Sequence, residues 1–339
     1  MSEQAATASP LTLPSTGART GHQHEWYFKI NDPARRQALL LRFTVLVSAN
    51  GFRRSAEVWA VFWRKSEQGE VEKSAVRKPQ DLSALHAAGE WVKVSDCEFS
   101  GSHLRGSARS QGATMSWDLR MEPAQPLAFD LVPESLARLG LIRNRARTPQ
   151  ENLLFSGSYT VDGTSYMVDR APGMHGILSG PLHAESWTWG HCNHFVDPEG
   201  NPTDLVFEGL SARSRLPWGL RSPRLTSLFF HYRGVSYPFN RLIDSFRIRS
   251  SHSLTEWRFQ ADRGEVSFRG HLRASLKDFA GLTLEDTDGT LLSCSTTLLS
   301  DLSILIYRRG KLESTHVARD CAAFEVAGRE KNPYVPPLL

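Results

Sequence analysis

SWTWGHCNHFVDPEGNPTDLVFEGL, residues 186–210, sets two short apolar and aromatic runs on either side of an Asp-Pro-Glu-Gly turn. EWYFKINDPARRQALLLRF, residues 25–43, has the same plan, with Trp26 opposite Trp187 and Asp32-Pro33 opposite Asp197-Pro198. Alternation with a period of two belongs to strands, because successive side chains leave opposite faces. A hairpin that recurs within 339 residues predicts a duplicated β unit. FSGSHLRGSA (99–108) and FRGHLRASLK (268–277) supply a second matched pair.

Working outward, AEVWAVFWRK, ATMSWDLRME, LTSLFFHYRG, TEWRFQA and LSILIYRR are again short, aromatic or β-branched, and bounded by turn residues. Helical signals are confined to PESLARLGL (133–141) and DLSALHAAG (81–89), the latter with Asp81 as N-cap. The run PESLARLGLIRNRARTPQEN (133–152) interrupts the β pattern and predicts a linker. The expected organisation is a disordered leader over 1–20, a first domain over 21–150 and a second over 151–339, with 153–169 free to pair with either. Repeated antiparallel units of this size favour two small barrels or sandwiches, since closure removes exposed sheet edges.

Composition excludes several classes. The formal charge of +4 is scattered, and the densest basic run, LARLGLIRNRAR (136–147), lacks aromatic platforms for bases, so no nucleic-acid partner is expected. No uncharged apolar run reaches transmembrane length and no secretory signal opens the chain. A soluble, cytoplasmic protein follows as the expectation, with any membrane contact peripheral. The four cysteines are far apart without CxxC spacing, so they are expected to be reduced. No GxGxxG, GxxxxGK[ST] or GxSxG pattern is present.

On a strand, Glu185, Trp187, Trp189, His191 and Asn193 share one face, while Ser186, Thr188, Cys192 and His194 share the other. Two indoles, an imidazole, an amide and a carboxylate suit a pocket for an apolar or transiently cationic ligand. The same residues also suit a core with a hydrogen-bonded histidine. His183, His191, Cys192 and His194, with His22 and His24, are candidate metal ligands by type, but strand alternation separates them, and no metal site is expected. In the first unit Glu25, Tyr27 and Lys29 share one face and His24, Trp26 and Phe28 the other. Glu208 and Asp244 sit among apolar neighbours that would raise a carboxyl pKa, as acid catalysis requires.

HEWYFKINDP, SWTWGHCNHF with the following DLVFEGLSAR, and EDTDGTLLSCSTTLLSDLSILIYRR (285–309) resemble segments of the tocopherol cyclase and hydroxyneurosporene synthase (carotenoid 1,2-hydratase) group, a superfamily of duplicated lipocalin-like barrels that includes AttH-type proteins. The resemblance implies an all-β fold of two tandem lipocalin-like barrels. It implies a cavity for a hydrophobic isoprenoid or polyketide-like molecule, and protonation of a double bond, hydration, cyclisation or isomerisation without a bound cofactor. It points to Trp187, Trp189, Cys192, Asn193 and His194 as the site region, with Trp26 and Tyr27 from the first domain. The characteristic early segment of the carotenoid hydratases is absent.

The expected function is therefore a cofactor-independent enzyme acting on a hydrophobic small molecule inside a barrel cavity. Its proton donor is one of His191, His194, Glu25, Glu208 and Asp244; Trp26, Tyr27, Trp187, Trp189, Cys192 and Asn193 bind substrate. The alternatives are a non-enzymatic carrier of an apolar metabolite or lipid, and a structural protein whose Trp-rich strand is core.

Overall fold

The computed structural model describes residues 21–110, 112–138, 140, 142–216 and 220–339; the leader expected over 1–20 lies outside the described residues. Among the described residues the architecture is all-β, built of two antiparallel twelve-stranded sheets. The first sheet runs Val71–Asp81, Arg54–Lys65, Gln37–Val47, His22–Asp32, Thr164–Gly180, Arg145–Val161, Ala113–Pro123, His103–Ser110 and onward to Leu85–Ala88. The second runs Val235–Phe239, Leu225–Tyr232, Val206–Arg213, Ser186–Cys192, Lys311–Gly328, Leu291–Arg308, Val266–Arg273, Glu256–Arg263 and Ile248–His252. In both, the opening strand is hydrogen-bonded on one side to the next hairpin and on the other to the closing strand of its own sheet. This is the duplication that the sequence predicts.

Each sheet curls around its own apolar core: Phe28, Leu41, Phe43, Phe62, Leu104 and Phe155 in the first, Phe207, Phe230, Phe239, Trp257 and Phe268 in the second. The aromatic rings fill both interiors. Where ladder bonds end, basic side chains bridge the seam. Lys78 Nζ donates to Ser107 O at 3.1 Å in the first sheet, and Arg263 donates to Pro238 O while lying 4.5 Å over the Phe239 ring in the second. No described helix is long and apolar enough to cross a membrane.

A third apolar cluster lies between the sheets, where Leu40, Trp59, Val61 and Trp63 of the first meet Trp187, Trp189, Phe229 and Leu298 of the second. This explains why QALLLRFTVLV and RSAEVWAVFWRK are buried at nearly every position and largely apolar. Odd-numbered Leu39, Leu41, Phe43 and Val45 face the barrel interior, whereas Ala38 and Leu40 face the other barrel. A strand buried on both faces cannot alternate with polar residues.

Several expectations change. The strands Arg145–Val161 and Thr164–Gly180 belong to the first sheet, so the change of sheet falls between Gly180 and Ser186 rather than at residue 150. Much of the expected linker is thus strand, its arginines alternating with buried Ala146 and Thr148. The 81–89 helix reduces to a 3-10 turn, Leu82–Ala84, with Asp81 accepting from Ser83 N at 2.9 Å as its cap, followed by a strand. The Trp26–Trp187 alignment is out of phase: Trp26 points into its barrel and Trp187 out of its own. In a strand, a slip of one residue exchanges the faces. The second matched pair is one strand out, because His103–Ser110 lies one strand further from the closing hairpin than Val266–Arg273. The C-terminal PYVPPLL, left open by the sequence, docks on the second sheet, with Leu338 N donating to Gly281 O at 2.7 Å and Thr283 N to Leu339 O at 2.8 Å.

Glycines let rings lie flat across strands in both units. Tyr27 pairs with Gly176 and Phe259 with Gly270; a Cβ on Gly270 would fall 2.0 Å from the Phe259 ring. Gly270→Ala is expected to cost about 1–3 kcal/mol, the usual range for overpacking a filled core, measured by urea unfolding. An unchanged midpoint would show that the second core is not packed as described.

Candidate functional site between the barrels

The opening strands of the two sheets, His22–Asp32 and Ser186–Cys192, both turn a face toward the inter-barrel layer. Between them lies a cavity of about 130 Å³, lined by Tyr27, Leu40, Leu178, Trp187, Trp189, Leu210 and Leu298 among others. The cavity sits between the barrels and not inside either one, because aromatic side chains occupy the interiors. Tyr27 meets Trp189 edge to face at 5.7 Å, a favourable arrangement for aromatic quadrupoles. A Cβ on Gly176 would fall 2.2 Å from Tyr27 Cζ, so that glycine makes room for the ring.

One wall of this apolar cavity is ionised. Arg42, the lone charge in ALLLRFTVLV, forms a buried ion pair with Glu25. His183 Nε2 lies 3.2 Å from Glu25 Oε1, and its Nδ1 lies 3.5 Å from Asp286 Oδ1. Arg329 in turn pairs with Asp286 at 2.6 Å. The His183 ring stacks on Trp187 at 5.6 Å, and Trp187 Nε1 donates to Glu325 Oε1 at 2.7 Å. Burial alone would raise the Glu25 pKa, but Arg42 and His183 more than reverse it and hold the group at about 2. Burial alone would lower the His183 pKa, yet Asp286 and Glu25 raise it to about 9. At neutral pH the array carries a carboxylate and an imidazolium in hydrogen-bonding contact, inside a mostly apolar wall.

Behind Trp189 lies a second polar group. Glu208 Oε1 accepts from Trp189 Nε1 at 2.9 Å and from Thr148 Oγ1 at 2.8 Å. Glu151, fully buried beside it, is pushed well up by burial and by the charge of Glu208; Glu208 is pushed up by burial. Burial and the neighbouring carboxyl both disfavour ionising this pair together.

The structure gathers only part of the expected site. Glu25, Tyr27, Trp187 and Trp189 line the cavity, and Glu208 supports Trp189. His191 is fully buried, with its Nε2 donating to the Glu151 carbonyl at 2.9 Å. Burial, and then Lys29, hold it well below the ordinary imidazole range, so it is neutral. Asn193 fastens the barrels together, donating to Asn152 Oδ1 at 3.0 Å and Gly173 O at 2.9 Å. Cys192 and Cys321 both donate to the His194 carbonyl, at 3.3 and 3.7 Å. Burial holds the His194 imidazole in its neutral form. Trp26 belongs to the first barrel interior and Cys192 to the second, neither at the cavity. Asp244 is not among the cavity-lining residues: it caps the 3-10 turn Leu242–Phe246, accepting from Arg241 N at 3.0 Å. Arg42, Asp286 and Glu325 were not among the expected site residues, and His183 was considered only as a metal ligand. A single arginine inside an apolar run was the signal for the first; nothing in spacing ties the other three together.

Glu25→Gln leaves Arg42 buried without its anion and is expected to cost about 3–5 kcal/mol in denaturant unfolding, where a surface pair would cost under about 1 kcal/mol. His183 has a native pKa raised above its ordinary 6.5, so its contribution is complete below pH 6.5 and is lost as pH rises through about 9. The stability difference between wild type and His183→Gln should therefore shrink between those values. A difference constant across that range would mean that His183 is not held as an imidazolium.

No family model matches the chain. It is 23% identical over 292 residues to uncharacterized proteins of Mycobacterium tuberculosis strains CDC 1551 / Oshkosh and H37Rv, covering 86% of this chain and 83% of each of those. Among solved structures it is similar to an AttH-like protein from Nitrosomonas europaea, with a TM-score of 0.48 and 12% identity over 96% of this chain and 100% of that one. It is also similar to kievitone hydratase from Nectria haematococca, with a TM-score of 0.49 and 11% identity over 97% of this chain and 94% of that one.

Proposed function

We propose that the protein is an acid–base enzyme that takes an apolar small molecule into the cavity between its barrels and moves a proton at that molecule's polar or unsaturated end. The observation that carries this reading is the ionised Glu25–His183 contact set in an otherwise apolar, aromatic wall. A simple carrier gains nothing from a buried imidazolium, which costs desolvation and restricts the ligands the pocket accepts.

Tyr27, Trp187 and Trp189 hold the ligand, and the proton held between His183 and Glu25 is the one transferred. Delivered to a carbon of a double bond, it leaves a neutral imidazole on the protein and a cation on the substrate. The indole faces of Trp187 and Trp189 and the Glu25 carboxylate stabilise that cation. Water, or a hydroxyl of the substrate itself, then captures it and returns a proton to His183, which closes the cycle as hydration or cyclisation. Loss of a neighbouring proton instead gives isomerisation. The Glu151–Glu208 pair behind Trp189, whose pKa values burial raises, is a further reserve of carboxyl groups within the same layer. Asn193 and His191, which bond across the two sheets, support the cavity from behind, and His194 braces the second sheet through its carbonyl. The exchange needs no group beyond these side chains and water.

The test begins with organic extraction of the purified full-length protein and mass spectrometry of the extract. An apolar compound with one polar group is expected, at near-stoichiometric yield, and Leu210→Trp, which fills the cavity, should abolish its recovery. The recovered compound is then incubated with the protein in D₂O. Wild type should place deuterium on a carbon of the compound, and His183→Gln should slow this by at least about a hundredfold, the usual scale of general acid–base catalysis. A compound that is bound and released with its mass unchanged would make the protein a carrier and overturn the proposal.

A further inference from the structure

The register of the second sheet gathers several strand ends at one pole. Ser186 pairs with Arg213, Ala212 with Leu225, and Leu228 with Phe239. Ala212, Ser214, Leu225 and Ser227 at this pole line the cavity. Two connections leave from the same place. Residues 214–216 and 220–224 run back against each other, Ser222 N donating to Ser214 O at 2.8 Å and Leu216 N to Leu220 O at 2.7 Å, with Leu220 in solvent, 60% exposed. The 3-10 turn Leu242–Phe246 is tied to the first sheet by Asn240 Nδ2 donating to Asp130 O at 2.8 Å, next to Leu131 and Val132 of the cavity wall. Buried Asp244 anchors this turn, which leaves Ile243 and Phe246 outward, 54% and 89% exposed.

These apolar side chains share their pole with uncompensated positive charge. Arg143 and Arg145 flank Asn144, which lines the cavity, and Arg213 and Arg249 adjoin the two connections. All four are exposed, and among the described residues none has a carboxylate within ion-pair distance. Exposed Phe and Ile side chains held outward by a buried anchor mark a contact surface. The combination with free guanidinium groups matches an anionic bilayer interface, where apolar side chains enter the acyl boundary and arginines meet lipid phosphates. A second copy of the chain across a two-fold axis fits badly, because it would bring the same arginines face to face.

We propose that this pole docks reversibly on an anionic phospholipid surface. The cavity then lies directly behind the lipid-facing side chains, and an apolar substrate reaches it from the membrane without crossing water. The delivery step rests on the cavity being the substrate site, as proposed above; the docking does not.

The test is co-flotation of the full-length protein with phosphatidylcholine vesicles that contain phosphatidylserine, against vesicles of phosphatidylcholine alone. Binding is expected to the anionic vesicles only and to fall as salt is raised, since exposed charges are screened. Arg143→Gln with Arg145→Gln should weaken it by about fivefold for each arginine removed. Ile243→Ser with Phe246→Ser should weaken it at constant salt dependence, while Leu312→Ser, exposed at the opposite pole, should leave it unchanged. Circular dichroism checks that each variant is folded, and the salt dependence of wild type stands independently of any variant. Absence of binding at low salt, equal binding to both vesicle types, or concentration-dependent dimerisation that Phe246→Ser abolishes would overturn the proposal. In wild type, vesicle binding without deuterium transfer would sink the catalytic reading alone, and deuterium transfer without vesicle binding would sink this one alone; Leu210→Trp, which closes the cavity but leaves the docking pole intact, should still bind the anionic vesicles, and its failure to do so would count against docking.

Discussion

A carboxylate cannot stay ionised between two apolar sheets unless cations reach it from both, and Glu25 meets that condition. Arg42 comes from its own sheet, and His183 from the segment that crosses to the second. His183 is held in turn by Asp286, and Asp286 by Arg329 near the end of the second sheet. The array therefore joins the first unit, the crossover and the second unit in one chain of charges. Glu25–Arg42 and Asp286–Arg329 are each pairs within one unit, and His183 links the two pairs only when the barrels are docked. Separating the barrels would cost His183 its partner on one side, which makes the array a register device as well as a chemical one.

The division of labour between layers follows from packing. Buried aromatic rings occupy both barrel interiors, so a ligand there would have to displace core side chains. The layer between the sheets is different. Flat indole rings from Ser186–Cys192 and the Tyr27 ring meet there at an angle and leave a gap, and the side chains that border the gap also carry the ionised groups. Cavity and charge thus arise from the same pair of opening strands. The connections at one pole of the second sheet extend this logic outward, because they begin where the cavity wall ends.

Much of this was legible in the sequence. Alternation assigned Glu25 and Tyr27 to one face and Trp26 and Phe28 to the other, and it separated Trp187 and Trp189 from Cys192; the structure keeps those faces. What alternation cannot supply is which face is inward. Trp26 and Trp187 look equivalent as letters, yet one fills a barrel and the other lines the gap outside its own, since a one-residue slip between units exchanges the faces. Asp244 among apolar neighbours resembled a catalytic acid, and only the turn geometry shows it as a cap. Arg42 was visible as a charge inside an apolar run, but its partner could not be named from either strand alone.

The sequence by itself determined the strands, their duplication and the burial of both faces of the central strands, because these are local consequences of side-chain period and apolarity. Tertiary structure decided that the hairpin over 145–180 completes the first sheet, that the cavity opens between the barrels, and that Glu25, Arg42, His183, Asp286 and Glu325 share one wall. Glu25 and Arg42 lie 17 positions apart, but His183 lies 158 positions from Glu25, and Asp286 and Glu325 lie further still. Their interaction is electrostatic and depends on distance through a dry layer, a quantity that no spacing along the chain encodes.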